Sequence, residues 1–262
     1  MSRVGEARRT TKETEVRVRL ELDGSGRADI KTGIGFFDHM LEALARHALY
    51  DLDLSAVGDL HVDAHHTVED VGIVLGQALA QALGERRGIR RYGDATVPLD
   101  DALARVVVDV SGRPYLAFHA DPPTWQKLGD YDVALTPEFF RALATHGGLT
   151  LHVDLLRGQN AHHVVEAVFK ATARALGEAT SLDPRVQGVP RPKGRSRDRG
   201  RRLRRVQPAE RAAWVARRGR RGGALGRPGR RAHGGAGGRP RRRALCARDA
   251  RADRHRSQGR GA

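Results

Sequence analysis

The sequence predicts an α+β fold made of two duplicated halves, followed by a basic tail that lacks a core. Three observations support this prediction. Strand-like and helix-like segments alternate through residues 1–190, a set of motifs recurs after about 97 residues, and the composition changes near residue 191. A repeat of this length is too long for a solenoid unit, so we expect two antiparallel or mixed four-stranded sheets, each packed by helices.

Hydrophobic periodicity predicts the individual elements. Alternating apolar and polar residues are typical of strands, which we expect at residues 16–22, 52–54, 60–62, 105–110 and 149–155. Apolar residues spaced three and four apart are typical of helices, which we expect at residues 36–49, 68–83, 139–144 and 164–176. The two longest helices end at Gly84 and Gly177, and glycine is a common C-cap.

The recurring motif is a pair of histidines followed by a glutamate near the start of a helix. It occupies residues 65–69 and again residues 162–166. The helices that precede the two copies also correspond, with His39 matching Glu138. This correspondence predicts one duplicated domain over residues 1–194, with halves at about 9–95 and 96–190.

Charge separates an acidic body from a basic tail. The whole chain carries a formal charge of +16, but residues 191–262 carry +22 and residues 1–190 carry −6. The tail is nearly all Arg, Gly, Ala and Pro, so residues 195–262 are predicted to be disordered. G/C-rich codons specify these residue types in any reading frame, and one hypothesis makes the tail a frameshift product. The other makes it a non-specific nucleic-acid arm, which the single aromatic residue, Trp214, disfavours.

Several protein classes are excluded by composition. The single cysteine, Cys246, allows neither a disulfide framework nor a thiolate zinc site. The charged N-terminal segment does not resemble a secretory signal, and no apolar run approaches the roughly 18–20 residues of a membrane span. We therefore expect a cytoplasmic globular protein that makes no contact with membranes.

The histidines and glutamates of the repeat have the spacing of metal ligands. Successive helical residues diverge by about 100°, so one ion would take one histidine of a pair with the glutamate, and the other histidine would serve a second ion. Imidazole and carboxylate together suit Mn, Fe or Zn. Because the motif occurs twice in matching positions, the alternative that these histidines are ordinary polar surface residues is disfavoured. The candidate ligands are His65, His66, Glu69, His162, His163 and Glu166, with His39 and Glu138 from the preceding helices.

Basic residues of the body are candidates for binding an anion. Lys170 lies one helical turn beyond Glu166 and faces the same side. Arg91 and Arg113, the latter in a Ser-Gly-Arg-Pro turn, could complete a phosphate clamp.

These motifs resemble the imidazoleglycerol-phosphate dehydratase family of histidine biosynthesis. The resemblance runs from about Arg9 to about Gly194 and is carried by four segments, at residues 38–41, 65–70, 111–114 and 162–171. It implies a fold like the second domain of ribosomal protein S5. It also implies a hydro-lyase that converts D-erythro-imidazoleglycerol phosphate to imidazole-acetol phosphate, in a homo-oligomeric shell of 24 subunits with active sites between subunits.

The resemblance further implies two Mn²⁺ ions per active site and an imidazolate form of the substrate ring. One ion would be held by His39, His66, His162 and Glu166, and the other by His65, Glu69, Glu138 and His163. Glu138 departs from the histidine that many members carry, and a carboxylate also suits Mn²⁺.

The same resemblance assigns roles in catalysis and substrate binding. Glu13 is expected to act as the acid/base, and the catalytic residues would be Glu13, His39, His66 and Glu166. The substrate would contact Glu13, Arg91, Arg113, Lys170 and Lys193. Arg191 replaces a hydroxyl residue of the family that would donate to the phosphate. The alternatives to this function are a dinuclear metallohydrolase and a protein that binds nucleic acid through its tail.

Overall fold

The structure is a computed structural model that describes residues 2–120 and 126–189. The predicted tail, with Arg191 and Lys193, lies outside these residues. None of the helices in the described part combines the length and the apolar character that crossing a membrane requires.

The first half forms a four-stranded mixed sheet with two helices. Its elements are β1 (Val4–Thr10), β2 (Thr14–Glu21), β3 (Ala28–Lys31), α1 (Gly35–Ala48), β4 (Asp51–Gly58) and α2 (His65–Leu83). The strand order is β1-β2-β4-β3. Strand β2 pairs antiparallel with β1 and β4, whereas β3 runs parallel to β4.

The second half repeats this topology. Its elements are β5 (Tyr92–Leu99), β6 (Ala102–Asp109), β7 (Tyr115–His119), α3 (Thr136–Gly147), β10 (Thr150–Arg157) and α4 (Ala161–Thr180). The strand order β5-β6-β10-β7 matches that of the first sheet, and β7 again runs parallel to β10. One insertion separates β7 from α3: the hairpin of β8 (Lys127–Leu128) and β9 (Tyr131–Asp132), followed by a 3-10 turn at Val133–Leu135.

The four helices lie between the two sheets. Helix α2 packs on β1 and β2, and α4 packs on β5 and β6. The helices also pack across the two halves: α1 packs against α4, and α2 packs against α3. Buried residues alternate along β2 and β6, as expected for strands with one face on the core. Four buried phenylalanines pack between the helices with ring centroids 4.9–5.3 Å apart: Phe37, Phe139, Phe140 and Phe169.

Most predicted elements are present, but one predicted strand is wrong. Residues 60–62 form a turn in which Val62 N donates to Asp59 O, and this turn connects β4 to α2. Three alternating residues are too few to distinguish a strand from such a turn. The second sheet begins at Tyr92, four residues before the sequence-based start of the second half at residue 96.

One glycine in each sheet allows the long helix of that half to approach the sheet closely. A Cβ built on Gly5 of β1 would lie 1.9 Å from the backbone oxygen of Ala78 in α2. The equivalent Cβ on Gly93 of β5 would lie 2.1 Å from the backbone oxygen of Ala175 in α4. Because backbone cannot retreat as a flexible side chain does, both positions require glycine for this packing.

We predict that Gly5→Ala lowers the free energy of unfolding by about 3 kcal/mol, since the added methyl group forces β1 away from α2. Gly93→Ala should have a similar effect in the second half. Gly35→Ala is the matched control, because a Cβ there would meet nothing within 4 Å, and its effect should stay within about 1 kcal/mol. Urea unfolding measures all three, and equal stability of Gly5→Ala and the control would contradict the packing argument.

Candidate active site

Three of the predicted ligands converge where α1 meets α4. The ligand atoms of His39, His162 and Glu166 all lie within 4.8 Å of one another. Glu166 Oε2 lies 3.1 Å from His162 Nε2 and 3.6 Å from His39 Nε2. His162 and Glu166 meet because they are four residues apart on one helix, and His39 reaches them because α1 packs against α4.

Side-chain hydrogen bonds hold the chain at the start of each helix that carries these residues. The side chain of Asn160 accepts from the backbone N–H of His162 and His163 at 2.9 and 3.4 Å. Asp38 in α1 accepts from the backbone N–H of Thr32 at 2.9 Å and from its hydroxyl at 2.5 Å. The Asn160 bonds satisfy backbone N–H groups that the start of α4 leaves free, whereas the Asp38 bonds tie the segment before α1 to the first turn of that helix.

Lys170 completes the electrostatic environment of Glu166. Its Nζ lies 2.7 Å from Glu166 Oε1. Burial raises the pKa of Glu166, but the hydrogen bond and charge of Lys170, with His39 and His162, outweigh it and leave the pKa below its ordinary value. The carboxylate is therefore charged near neutral pH, which is the form that binds a cation.

A cleft of about 460 Å³ opens beside this cluster and is lined by several cationic side chains. Its lining includes His39, Glu42, Arg46, His47, Glu166 and Lys170. Burial lowers the pKa of His47, and the charges of Lys170, Arg174 and Arg46 lower it further. The cleft therefore combines a metal-binding set with positive charge suited to an anion.

The equivalent pair in the first half, His65 and Glu69, lies on α2. His65 Nε2 is 3.8 Å from Glu69 Oε2, and Asp63 accepts from the backbone N–H of His65 at 2.8 Å. A second cleft, of about 410 Å³, includes His65 in its lining and contains more acids than bases. Its charged residues besides His65 are Asp63, Lys127, Asp130 and Asp132.

The second histidine of each pair is held by an aspartate that the sequence analysis did not single out. His66 Nδ1 lies 3.0 Å from Asp59 Oδ2, and His163 Nδ1 lies 2.6 Å from Asp101 Oδ1. A carboxylate on one ring nitrogen is the usual support for a histidine that binds metal through the other. The hydrogen bond to Asp59 raises the pKa of His66, to which the negative charges of Asp63 and Glu13 add.

Asp101 also organises the loop before α4. Its carboxylate accepts from the backbone N–H groups of Gln159 at 2.7 Å and Asn160 at 3.1 Å. These backbone hydrogen bonds, with the one to His163, lower the pKa of Asp101 well below its usual range. His163 Nε2 in turn lies 3.4 Å from Asp100 Oδ2. The only signal in the sequence was an Asp-Asp pair in the turn between β5 and β6.

The remaining predicted site residues lie elsewhere in the chain. Glu138 forms an ion pair with Arg141 on α3 and is not part of the group formed by His39, His162 and Glu166. Arg91 and Arg113 share Asp109: Arg91 Nε lies 2.7 Å and Arg113 Nη2 lies 3.6 Å from its carboxylate. They therefore form one cationic group, at the end of the second sheet.

Glu13 lies exposed in the turn between β1 and β2, where its backbone oxygen accepts from Asp59 N–H at 3.1 Å. This turn thus contacts the residue that holds His66. Within residues 2–120 and 126–189, one chain brings together three of the residues predicted to hold the first ion. Separately, it pairs His65 with Glu69, two of the residues predicted to hold the second ion. The donor types fit Mn, Fe or Zn, as imidazole and carboxylate sets do.

We predict that Lys170→Met raises the pKa of Glu166 in the metal-free protein, because burial then acts with less opposition. In the wild-type protein the pKa of Glu166 lies below its ordinary value, so the stabilising contribution of the charged carboxylate is present above that ordinary value and is lost as pH falls through the folded pKa. Carboxyl ¹³C NMR titration measures the shift. Arg174→Met is the control, since it removes one positive charge from the same helix, and an equal shift in both variants would contradict a specific Lys170 effect.

Comparisons with known proteins identify the family to which the chain belongs. A family model described as imidazoleglycerol-phosphate dehydratase matches residues 32–176. The imidazoleglycerol-phosphate dehydratase of Symbiobacterium thermophilum is 60% identical over 192 residues, which cover 73% of this chain and 92% of the relative. That of Paracoccus denitrificans is 60% identical over 181 residues, which cover 69% of this chain and 92% of the relative.

Solved structures of the same enzyme share the fold. The crystal structure from Staphylococcus aureus matches with a TM-score of 0.62 and 42% identity, covering 69% of this chain and 99% of that chain. The structure from Pyrococcus furiosus matches with a TM-score of 0.59 and 40% identity, covering 68% and 96%. These matches confirm the family and the fold class that the sequence predicted. The chain belongs to the imidazoleglycerol-phosphate dehydratase family and is a hydro-lyase.

Proposed function

We propose that this protein dehydrates D-erythro-imidazoleglycerol phosphate to imidazole-acetol phosphate in histidine biosynthesis, with manganese as its metal. The observation that carries the proposal is the convergence of His39, His162 and Glu166 in a chain whose relatives bear this enzyme's name. The reaction needs a metal because the hydrogen that leaves is not acidic. Bound Mn²⁺ would supply a Lewis acid that favours loss of the proton from the imidazole ring.

Two ions per active site follow from the two copies of the motif. His39, His66, His162 and Glu166 would hold one, and His65, Glu69, Glu138 and His163 the other. In each histidine pair the first ring meets its helical glutamate, and the second is held by an aspartate. This difference in partners supports the proposal that the two rings of a pair bind different ions.

The active sites would lie between subunits of a homo-oligomer, which we propose is a shell of 24 copies. Supporting this, the described chain gathers His39, His162 and Glu166 while His66 is held separately at Asp59. A His66 contributed by a neighbouring copy would complete the set. Glu138 and His163 would be joined to the His65–Glu69 pair in the same way.

The chain's own residues then carry out the elimination. The hydroxyl on the carbon next to the ring leaves as water with the proton that the ring has lost, and Glu13 accepts the proton from the neighbouring carbon, which then returns to the ring nitrogen. The enol that forms becomes the keto product by proton transfer. Glu13 suits this role because it is exposed in a turn fixed to Asp59, and because it is committed to no metal in the proposed sets.

The phosphate of the substrate would be held by cationic residues. Lys170 faces the cleft beside the cluster, and Arg91 and Arg113 form the second cationic group around Asp109. A guanidinium pair binds phosphate well because its donors are fixed in a fork. Lys193 stays a prediction, as do the domain boundary at residue 194, the cytoplasmic location and the nature of the tail.

The test of the proposal is turnover of imidazoleglycerol phosphate by the full-length, Mn-loaded protein. We expect Glu13→Gln to lower kcat by about 100-fold or more, because a positioned acid/base contributes at least that factor. Glu15→Gln is the matched control, since Glu15 is an exposed carboxylate two residues away that pairs with Arg17, and it should keep its activity. Full activity of Glu13→Gln would exclude Glu13 as the acid/base.

Removal of residues 195–262 tests the tail. If these residues take no part in the reaction, the truncated and full-length proteins should have kcat values within about threefold of each other. Turnover by the truncated protein alone would show that the tail impairs the enzyme. Absence of turnover in both, with Mn bound, would contradict the dehydratase proposal and favour a metallohydrolase.

A further inference from the structure

A buried carboxylate next to the first metal motif takes no part in the proposed ligand sets. Asp70 follows Glu69 in α2 and is only 7% exposed. One of its oxygens accepts from Arg9 Nε of β1 at 2.8 Å, and the other accepts from the hydroxyl of Thr14 at the start of β2. Asp70 therefore joins α2 to both strands that flank the turn carrying Glu13.

The hydrogen bonds around this carboxylate have one direction. The Thr14 hydroxyl donates to Asp70, so it is left to accept from the Thr11 hydroxyl, 3.3 Å away. The Thr11 oxygen accepts in turn from the backbone N–H of Glu13 at 3.1 Å and of Thr14 at 2.9 Å. The chain of donors thus begins at the backbone of Glu13 and ends on Asp70.

A second path reaches the same turn from the other side. The backbone oxygen of Glu13 accepts from Asp59 N–H, and the Asp59 carboxylate lies 3.0 Å from His66 Nδ1. The backbone of Glu13 is therefore held through its N–H by the Asp70 chain and through its C=O by Asp59. Glu13 itself is exposed, and both of these hydrogen bonds are made by its backbone.

We propose that Asp70 is a positioning residue that, through Thr14, fixes the Glu13 turn against the first turn of α2 and so sets the place of the Glu13 carboxylate. This inference rests on the proposed role of Glu13 as acid/base. A displacement of about 1 Å in a reacting group can lower a rate by about 100-fold, so a rigid attachment of this turn matters for the reaction.

The rival explanation is that Asp70 only stabilises the fold. The two explanations differ in their effect on catalysis, because a purely structural tie would lower stability and leave the turnover of folded enzyme unchanged. Thr14→Val separates them, since it keeps the shape of a buried side chain and removes only the hydroxyl that reaches Asp70.

The experiment uses full-length, Mn-loaded enzyme. We expect Thr14→Val to lower kcat about 30-fold with KM within about threefold, because substrate binding is retained while the acid/base is misplaced. Thr14→Ser restores the hydroxyl and should recover most of that loss. Thr180→Val is the matched control: Thr180 is equally buried, and its hydroxyl donates to Leu176 O and lies 2.7 Å from the Tyr50 hydroxyl, away from the site.

Amide hydrogen exchange gives a readout that does not depend on turnover. In Thr14→Val the amides of residues 11–14 should exchange at least about tenfold faster, while those of α4 stay unchanged. Asp70→Asn should act in the same direction, because an amide offers one oxygen where two donors now bind. Unchanged exchange in this segment would overturn the proposal.

The kinetic outcomes also decide the matter. Wild-type kcat in Thr14→Val, an equal loss in Thr14→Ser, or an equal loss in Thr180→Val would each overturn the positioning role, as would full activity of Glu13→Gln. An inactive wild-type enzyme with Mn bound would instead contradict the proposed function. In that case the exchange measurement would still show whether Asp70 holds the turn.

Discussion

The packing of helices from one half against helices of the other half is the constraint on which the site depends. Each long helix packs on its own sheet through a glycine and against the short helix of the other half. A Cβ on Gly72 or Gly76 of α2 would lie 2.8 Å from atoms of α3, so this contact is close as well. His39 reaches Glu166 only because α1 and α4, from different halves, lie side by side.

The duplicated motif made much of this arrangement predictable from the sequence. The spacing of His162, Glu166 and Lys170 placed them on one helix face, and the repeat related His39 to Glu138. Helical periodicity found all four helices. The helix faces are local features, since they depend on residues three and four apart, and the relation of His39 to Glu138 was visible because the sequence itself repeats.

Features that depend on contacts between distant segments were not predictable. Asp59 and Asp101 support His66 and His163, yet they lie 7 and 62 residues away in sequence. The edge strands β1, β3, β5 and β7 were missed because each has at most two buried residues, so large apolar side chains do not alternate along them. The strand expected at residues 60–62 failed for the opposite reason, since alternation occurred where no neighbouring strand could pair with it.

The hairpin of β8 and β9 is an insertion without a counterpart in the first half, and it gives the two halves different electrostatic surroundings. It places Asp130 and Asp132 in the cleft with His65, whereas the equivalent His162 packs edge-on against Phe36, 5.1 Å between ring centroids. Lys170 lies on the side of His162, and its counterpart on α2 is Ile73. Two positions that the repeat relates therefore lie in different electrostatic fields and attract cations unequally. The same substitution should then affect cation binding differently in the two halves.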